Sequence, residues 1–160
     1  MRKTMATITV VLCLALANSA FAHEHGDEQE VAPQSAHGLK VENPAKCQNC
    51  GMDRTAFAAS RVLITFADGT TVGTCSINCA HDEVTRNVSK KIKNIKVADY
   101  TSKKLIDAKK ATWIIGGNKQ GVMSATAKWA FEDRAGAERF IKENGGKIAT
   151  FDEAWKAAAR

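Results

Sequence analysis

The chain has 160 residues, 44% apolar and 25% charged, with a formal net charge of +6. That length suffices for one compact core or two small lobes. The basic excess is mild and spread along the chain, with no basic patch interleaved with aromatics, which argues against a nucleic-acid partner.

The first residues, "MRKTMATITVVLCLALANSAFA", begin with Arg2 and Lys3 and continue into an apolar run over residues 8–17. They end in Ala20-Phe21-Ala22, a small-x-small cleavage pattern. This reads as a cleaved signal peptide over residues 1–22, and the expected location is periplasmic. The apolar run is too short to span a bilayer. Cys13 leaves with the signal, and the "VVL" before it lacks the small residue of a lipid-attachment site. Residues 23–45 are polar, hold both prolines and show no apolar periodicity, so they read as a flexible leader. Cleavage after Ala22 exposes His23-Glu24-His25. Its amine, backbone nitrogens and third-residue imidazole could form a square-planar site for Cu(II) or Ni(II); the alternative is a polar tail with chance histidines.

The ordered domain is expected over residues 46–160, in lobes of about 46–100 and 101–160. "RVLITFADGTTVGTC" predicts a hairpin, with Val62, Ile64 and Phe66 on one face and Asp68-Gly69 as a two-residue turn. That register puts Cys75 opposite Val62, returning it to the end where "CQNCGM" (residues 47–52) sits. A helix capped by Ser76 should follow, with Ile77, Ala80, Val84 and Val88 as its apolar stripe and Cys79 in its first turn. There the helix dipole favours thiolate. A strand is expected over residues 92–100. The second half repeats the theme: strands in "ATWIIG" and "AKWAFE", a helix capped by Asp133 and stopped at Gly145-Gly146, a strand in "KIAT", and a capping box at Thr150 opening a last helix. The fold class is therefore α+β, two small ββαβ-like lobes.

Four cysteines remain after the signal: Cys47, Cys50, Cys75 and Cys79. Four readings compete. Cys-x2-Cys, a 24-residue gap and Cys-x3-Cys could build a tetrahedral Zn(II) cage. The cysteines could pair as disulfides in an oxidising compartment, although bridges within each motif would close loops too small to stabilise much. Cys-x2-Cys could be a redox dithiol, but it neither follows a strand nor opens a helix. Thiolates joined by thioethers would select Cu(I). That last reading also explains Met52, beside the dithiol, and Met123, in the Gly-rich stretch "GGNKQGVMS"; loop packing is the plainer account of each. His37 and His81 have weaker claims.

"CQNCGM", "VLITFADGTTVGTCS", the late "GVM" and "WAFEDRAGAERFIKENGGKIATFDEA" together resemble the NosL family, accessory proteins of nitrous-oxide reductase that bind Cu(I) for delivery outside the cytoplasm. The resemblance spans residues 46–156. It implies two small α+β lobes related to part of organomercurial lyase, no enzymatic activity, no small-molecule substrate, and a recipient copper protein as partner. By position, the family's motif falls on Cys47, Cys50, Gly51 and Met52, and its later methionine on Met123. Many members are lipoproteins, whereas this chain carries an ordinary signal. Cys75 and Cys79 form a second pair, as added ligands or as a disulfide, and four thiolates could equally hold zinc or mercury. The enzymatic alternative is a thiol-based organomercurial lyase, which needs a proton donor; Asp53 and Asp82 are the nearest acids in sequence.

Overall fold

The computed structural model describes residues 40–159. The expected signal peptide, nearly all of the leader, Cys13, His23, His25 and His37 lie outside the described residues. Among the described residues no helix is long and apolar enough to cross a membrane.

The first sheet starts with the hairpin β1 (Val62–Phe66) and β2 (Thr71–Thr74). Val62, Ile64 and Phe66 are buried and the residues between them only half-buried, the period-two pattern of a strand with one face on a core. The register differs from the expected one by a residue: Val62 pairs with Thr74, not Cys75. The cause is the turn. Gly69 has φ 84°, but Asp68 does not take positive φ. Phe66 N–H donates to Thr70 O and Gly69 N–H to Phe66 O, so the loop has three residues and ends on a left-handed glycine. Ala67 N–H instead donates to Lys91 O. Cys75 thus falls just beyond β2, in the turn into α1 (Ile77–Arg86).

Ser76 caps α1 by accepting from Cys79 N–H. Ile77 and Ala80 are buried and Val84 half-buried. Val88 does not join the stripe: it lies past the helix end and is 83% exposed. The sheet is completed by β3 (Ile92–Ala98) and β4 (Leu105–Asp107), in the order β2-β1-β3-β4. β4 extends this lobe past the expected boundary near residue 100. Its three residues sit among lysines and were too short to register as a strand pattern.

The second lobe has the same core topology. β5 (Thr112–Ile115), β6 (Lys128–Phe131), α2 (Arg134–Asn144) and β7 (Lys147–Ala149) give a three-stranded antiparallel sheet ordered β6-β5-β7. Asp133 caps α2, and Thr150 with Glu153 forms the capping box of α3 (Phe151–Lys156). Both faces of this sheet are covered. Trp113, Ala130 and Ala149 join Val62, Ile64, Phe66, Ile77 and Val97 in one core shared by the lobes. Ile114, Trp129 and Phe131 face the other way, into a cluster with Ala137 and Phe140 of α2.

One buried cation ties the segment before β1 to this framework. Arg54 is fully buried. Its guanidinium donates to the carbonyls of Thr74 (3.2 Å), Glu42 (2.9 Å), Val62 (3.2 Å) and Pro44, and pairs with the Glu42 carboxylate. Arg61 meets the other carboxylate oxygen of Glu42 at 3.2 Å. The guanidinium lies against Gly73, where a Cβ would come within 2.6 Å of Arg54 Cζ. Without Arg54 the Glu42 carboxylate would keep Arg61, but the carbonyls of Thr74 and Val62 would lose this buried donor, at roughly 1–3 kcal/mol for each acceptor left unpaired. Arg54→Met should therefore destabilise the metal-free protein by about 3 kcal/mol in denaturant unfolding, whereas a shift near zero would mean the guanidinium only decorates the fold.

Candidate metal centre

Three elements converge beside β2. Residues 46–53 form a tight knuckle. Lys46 bridges to Asp53, Cys47 N–H donates to Met52 O (2.8 Å), and Gly51 N–H donates to Cys47 O (2.8 Å). Gly51 turns the chain with φ 80°, which favours glycine. Gln48 seats the knuckle on β2: its N–H donates to Gly73 O (3.0 Å), and Gly73 N–H donates to Gln48 Oε1 (2.9 Å). The Met52 N–H points at the Cys50 sulfur. The second element is the turn holding Cys75, whose carbonyl accepts from Ser60 Oγ at 2.7 Å. The third is the first turn of α1, which carries Cys79.

Together they bring the four cysteine sulfurs within 4.8 Å of one another. Cys50 Sγ lies 3.5 Å from Cys75 Sγ, and Cys75 Sγ lies 3.7 Å from Cys79 Sγ. All four are free thiols, so the disulfide reading is not the state described. Cys47, Cys75 and Cys79 are buried and Cys50 reaches solvent. The C-x-x-C sits in a knuckle rather than at a helix start, unlike the redox-dithiol arrangement. A tetrahedral thiolate ion with metal–sulfur bonds near 2.3 Å needs sulfurs about 3.8 Å apart, close to the spacing found.

The protons are unevenly shared. Cys79 is driven well below the ordinary thiol value of 9.0, chiefly by the hydrogen bond from Cys75, helped by Asn49 and Ser76. Cys75 is driven well above it, first because it is the donor in that bond and then because it is buried. Burial also raises Cys50. Asn49, between the knuckle cysteines, also donates to Asp82 Oδ2 (3.2 Å) and accepts from Arg86, linking Cys79 to polar groups along α1.

Residues 38–159 match the NosL family. The chain belongs to the NosL family. A solved relative, the copper chaperone NosL from Shewanella denitrificans, shares the fold at a TM-score of 0.56 and 20% identity, over 72% of this chain and 92% of that one. No curated protein matches. The family and the two-lobed α+β fold expected from the sequence are thus both met.

Within this NosL fold the expected site residues occupy distinct places. Cys47, Cys50, Cys75 and Cys79 form the cluster. Met123, at φ 57°, packs against it together with Phe57 and Val122. Met52 turns outward, 38% exposed, and shares a pocket wall with Met123. His81 packs against Trp155 at a tilt, with ring centroids 5.2 Å apart. Asp53 is held ionised by the Thr55 N–H, which suits it poorly to donating a proton. Sequence reasoning missed Asn49, although its place inside C-x-x-C was a signal. It also missed Arg54, for which no local pattern exists, whereas Trp129 and Phe131 share one face of β6 as their alternation in "AKWAFE" suggests.

The shared proton gives a prediction. At neutral pH the metal-free NosL protein should show the ultraviolet thiolate absorbance of about one cysteine, and Cys79→Ser should abolish it. Absorbance that rises only near the ordinary thiol range would contradict the arrangement.

Proposed function

We propose that the chain is an exported Cu(I)-binding protein that works in the periplasm and passes its ion to a recipient copper protein such as nitrous-oxide reductase. The observation that carries this reading is a four-thiol cluster with one thiol, Cys50, at the surface and two thioethers alongside. Soft thiolate and thioether ligands favour Cu(I) over harder ions. Cys47, Cys50, Cys75 and Cys79 would hold the ion, and Met52 and Met123 would offer weaker contacts during transfer. Charge also favours exchange. A monovalent ion neutralises only one thiolate, and further like charges at this spacing oppose ionisation. Fewer than four thiolates would then engage Cu(I) at once, leaving sulfur free to trade places with an incoming ligand. Cys50, open to solvent, is where a recipient's ligand would first attach.

Structural Zn(II) is the second reading, favoured by the knuckle and by sulfur spacings near those of a closed tetrahedron. A divalent ion would neutralise more of the cluster. Under that reading the cysteines serve folding and the function lies elsewhere.

The test is a titration of the mature protein, prepared without oxygen or chelator, with Cu(I) and Zn(II) in competition. Stoichiometric copper uptake that zinc does not displace is expected. Cys50→Ser should lower Cu(I) affinity by more than about 10–100-fold, the loss that removing a hydrogen-bond partner of a metal ligand already brings. Met123→Leu should slow copper transfer to an acceptor chelator while leaving the unfolding midpoint nearly unchanged. Zinc retained through purification and required for folding would replace the copper reading with the structural one.

A further inference from the structure

Lys128 opens β6, and it is only 7% exposed. Side chains along a strand alternate between faces, so Lys128 shares a face with Ala130, which joins the core common to the two lobes. Its ammonium therefore points out of the second lobe toward the first, where it reaches Asn78 Oδ1 at 3.4 Å. Asn78 is buried in the first turn of α1, directly before Cys79. Its Nδ2 donates to Ala158 O at 3.1 Å, which fixes the amide with its oxygen toward the ammonium.

The same ammonium closes the loop that precedes β6. It donates to Ser124 Oγ at 3.0 Å and to Thr126 O at 3.1 Å. Ser124 Oγ also donates to Thr126 O at 2.7 Å and accepts from Thr126 N–H at 3.2 Å. The loop is tight: a Cβ on Gly121 would come within 2.5 Å of Ser124 O and 2.9 Å of Ala127 Cα. Met123 sits inside it at φ 57°, a left-handed state that a residue other than glycine keeps only where its surroundings hold it. Met123 and its neighbour Val122 are the loop residues that pack on the cysteine cluster. One buried cation thus bonds both the loop that carries Met123 and the helix turn that carries Cys79. An ammonium taken out of water depends on such oxygens, and they in turn are held by it.

We propose that Lys128 is a positioning residue for metal transfer. Its ammonium locks the 121–127 loop to the first turn of α1 and so fixes the Met123 thioether against the cluster. Lys128 acts through Met123 rather than on the ion. Without the lock, the loop relaxes out of the left-handed turn at Met123, and the thioether no longer meets an ion leaving the cysteines. The consequence for transfer rests on the delivery reading; the placement of Met123 rests on the hydrogen bonds alone.

The test uses the mature protein labelled with carbon-13 at the methionine methyls. Beyond the expected signal the chain has two methionines, Met52 and Met123, so one signal reports on the loop and the other serves as control. In the metal-free protein Lys128→Leu and, separately, Ser124→Ala should each move the Met123 methyl toward the position of a solvent-exposed methionine, with Met52 moving far less. In the copper-loaded protein Lys128→Leu should slow transfer to an acceptor chelator to the rate of Met123→Leu. The double variant should be no slower than Met123→Leu alone, because one residue works through the other. A Met123 methyl unmoved in both variants, or transfer losses that multiply in the double variant, would overturn the proposal. If Lys128→Leu does not fold, Ser124→Ala, at a half-buried position, decides by the same two readings. Refusal of copper by the folded wild type would sink the delivery reading, and the methyl shifts would still decide whether Lys128 holds the loop.

Discussion

Four ionisable sulfurs within 4.8 Å of one another cannot all carry charge without a cation among them. The rest of the site follows from this constraint. Without metal, the cluster settles by keeping Cys75 protonated and letting Cys79 take the charge, where the cap of α1, the Asn49 amide and the Cys75 thiol all donate to it. A soft cation would remove the conflict. The closeness of the sulfurs is therefore both a standing strain on ionisation and what would give the cluster its affinity for a metal.

Holding sulfurs this close requires elements that do not give way. The knuckle is fixed to β2 by Gln48 and Gly73, and the chain on either side of it is fixed by Arg54 and Glu42. Gly73 serves both contacts, because a side chain there would displace the guanidinium. α1 is held from below by Ile77 and Ala80 in the core shared by the two lobes. The loop of Met123 reaches the cluster from the second lobe, so the pocket and its thioethers exist only because the sheets pack together. Fold and site are in this sense one object, with a thiol cluster on one side and a largely apolar pocket on the other.

Much of this was legible in the residues. Period-two burial in β1, the caps at Ser76, Asp133 and Thr150, and the stop at Gly145 are local signals, and the structure keeps each of them. The meeting of the two cysteine pairs was legible too, since any tight hairpin over Asp68-Gly69 brings them together. The register was not, because it depends on whether Asp68 enters the left-handed region, and Ala67 bonds to Lys91 instead of across the turn. Val88 continued the helical stripe in sequence, but α1 ends at Arg86. Arg54 gave no signal. Its role comes from carbonyls and a distant glycine that meet it only once the chain has folded.

The central claim is that these sulfurs together form a Cu(I) site, and X-ray absorption at the copper edge of the loaded protein tests it most directly. The account predicts a monovalent edge and a first shell made only of sulfur, reduced in number when Cys50 is replaced by serine. A nitrogen or oxygen first shell, or one indifferent to Cys50, would place copper elsewhere and contradict it.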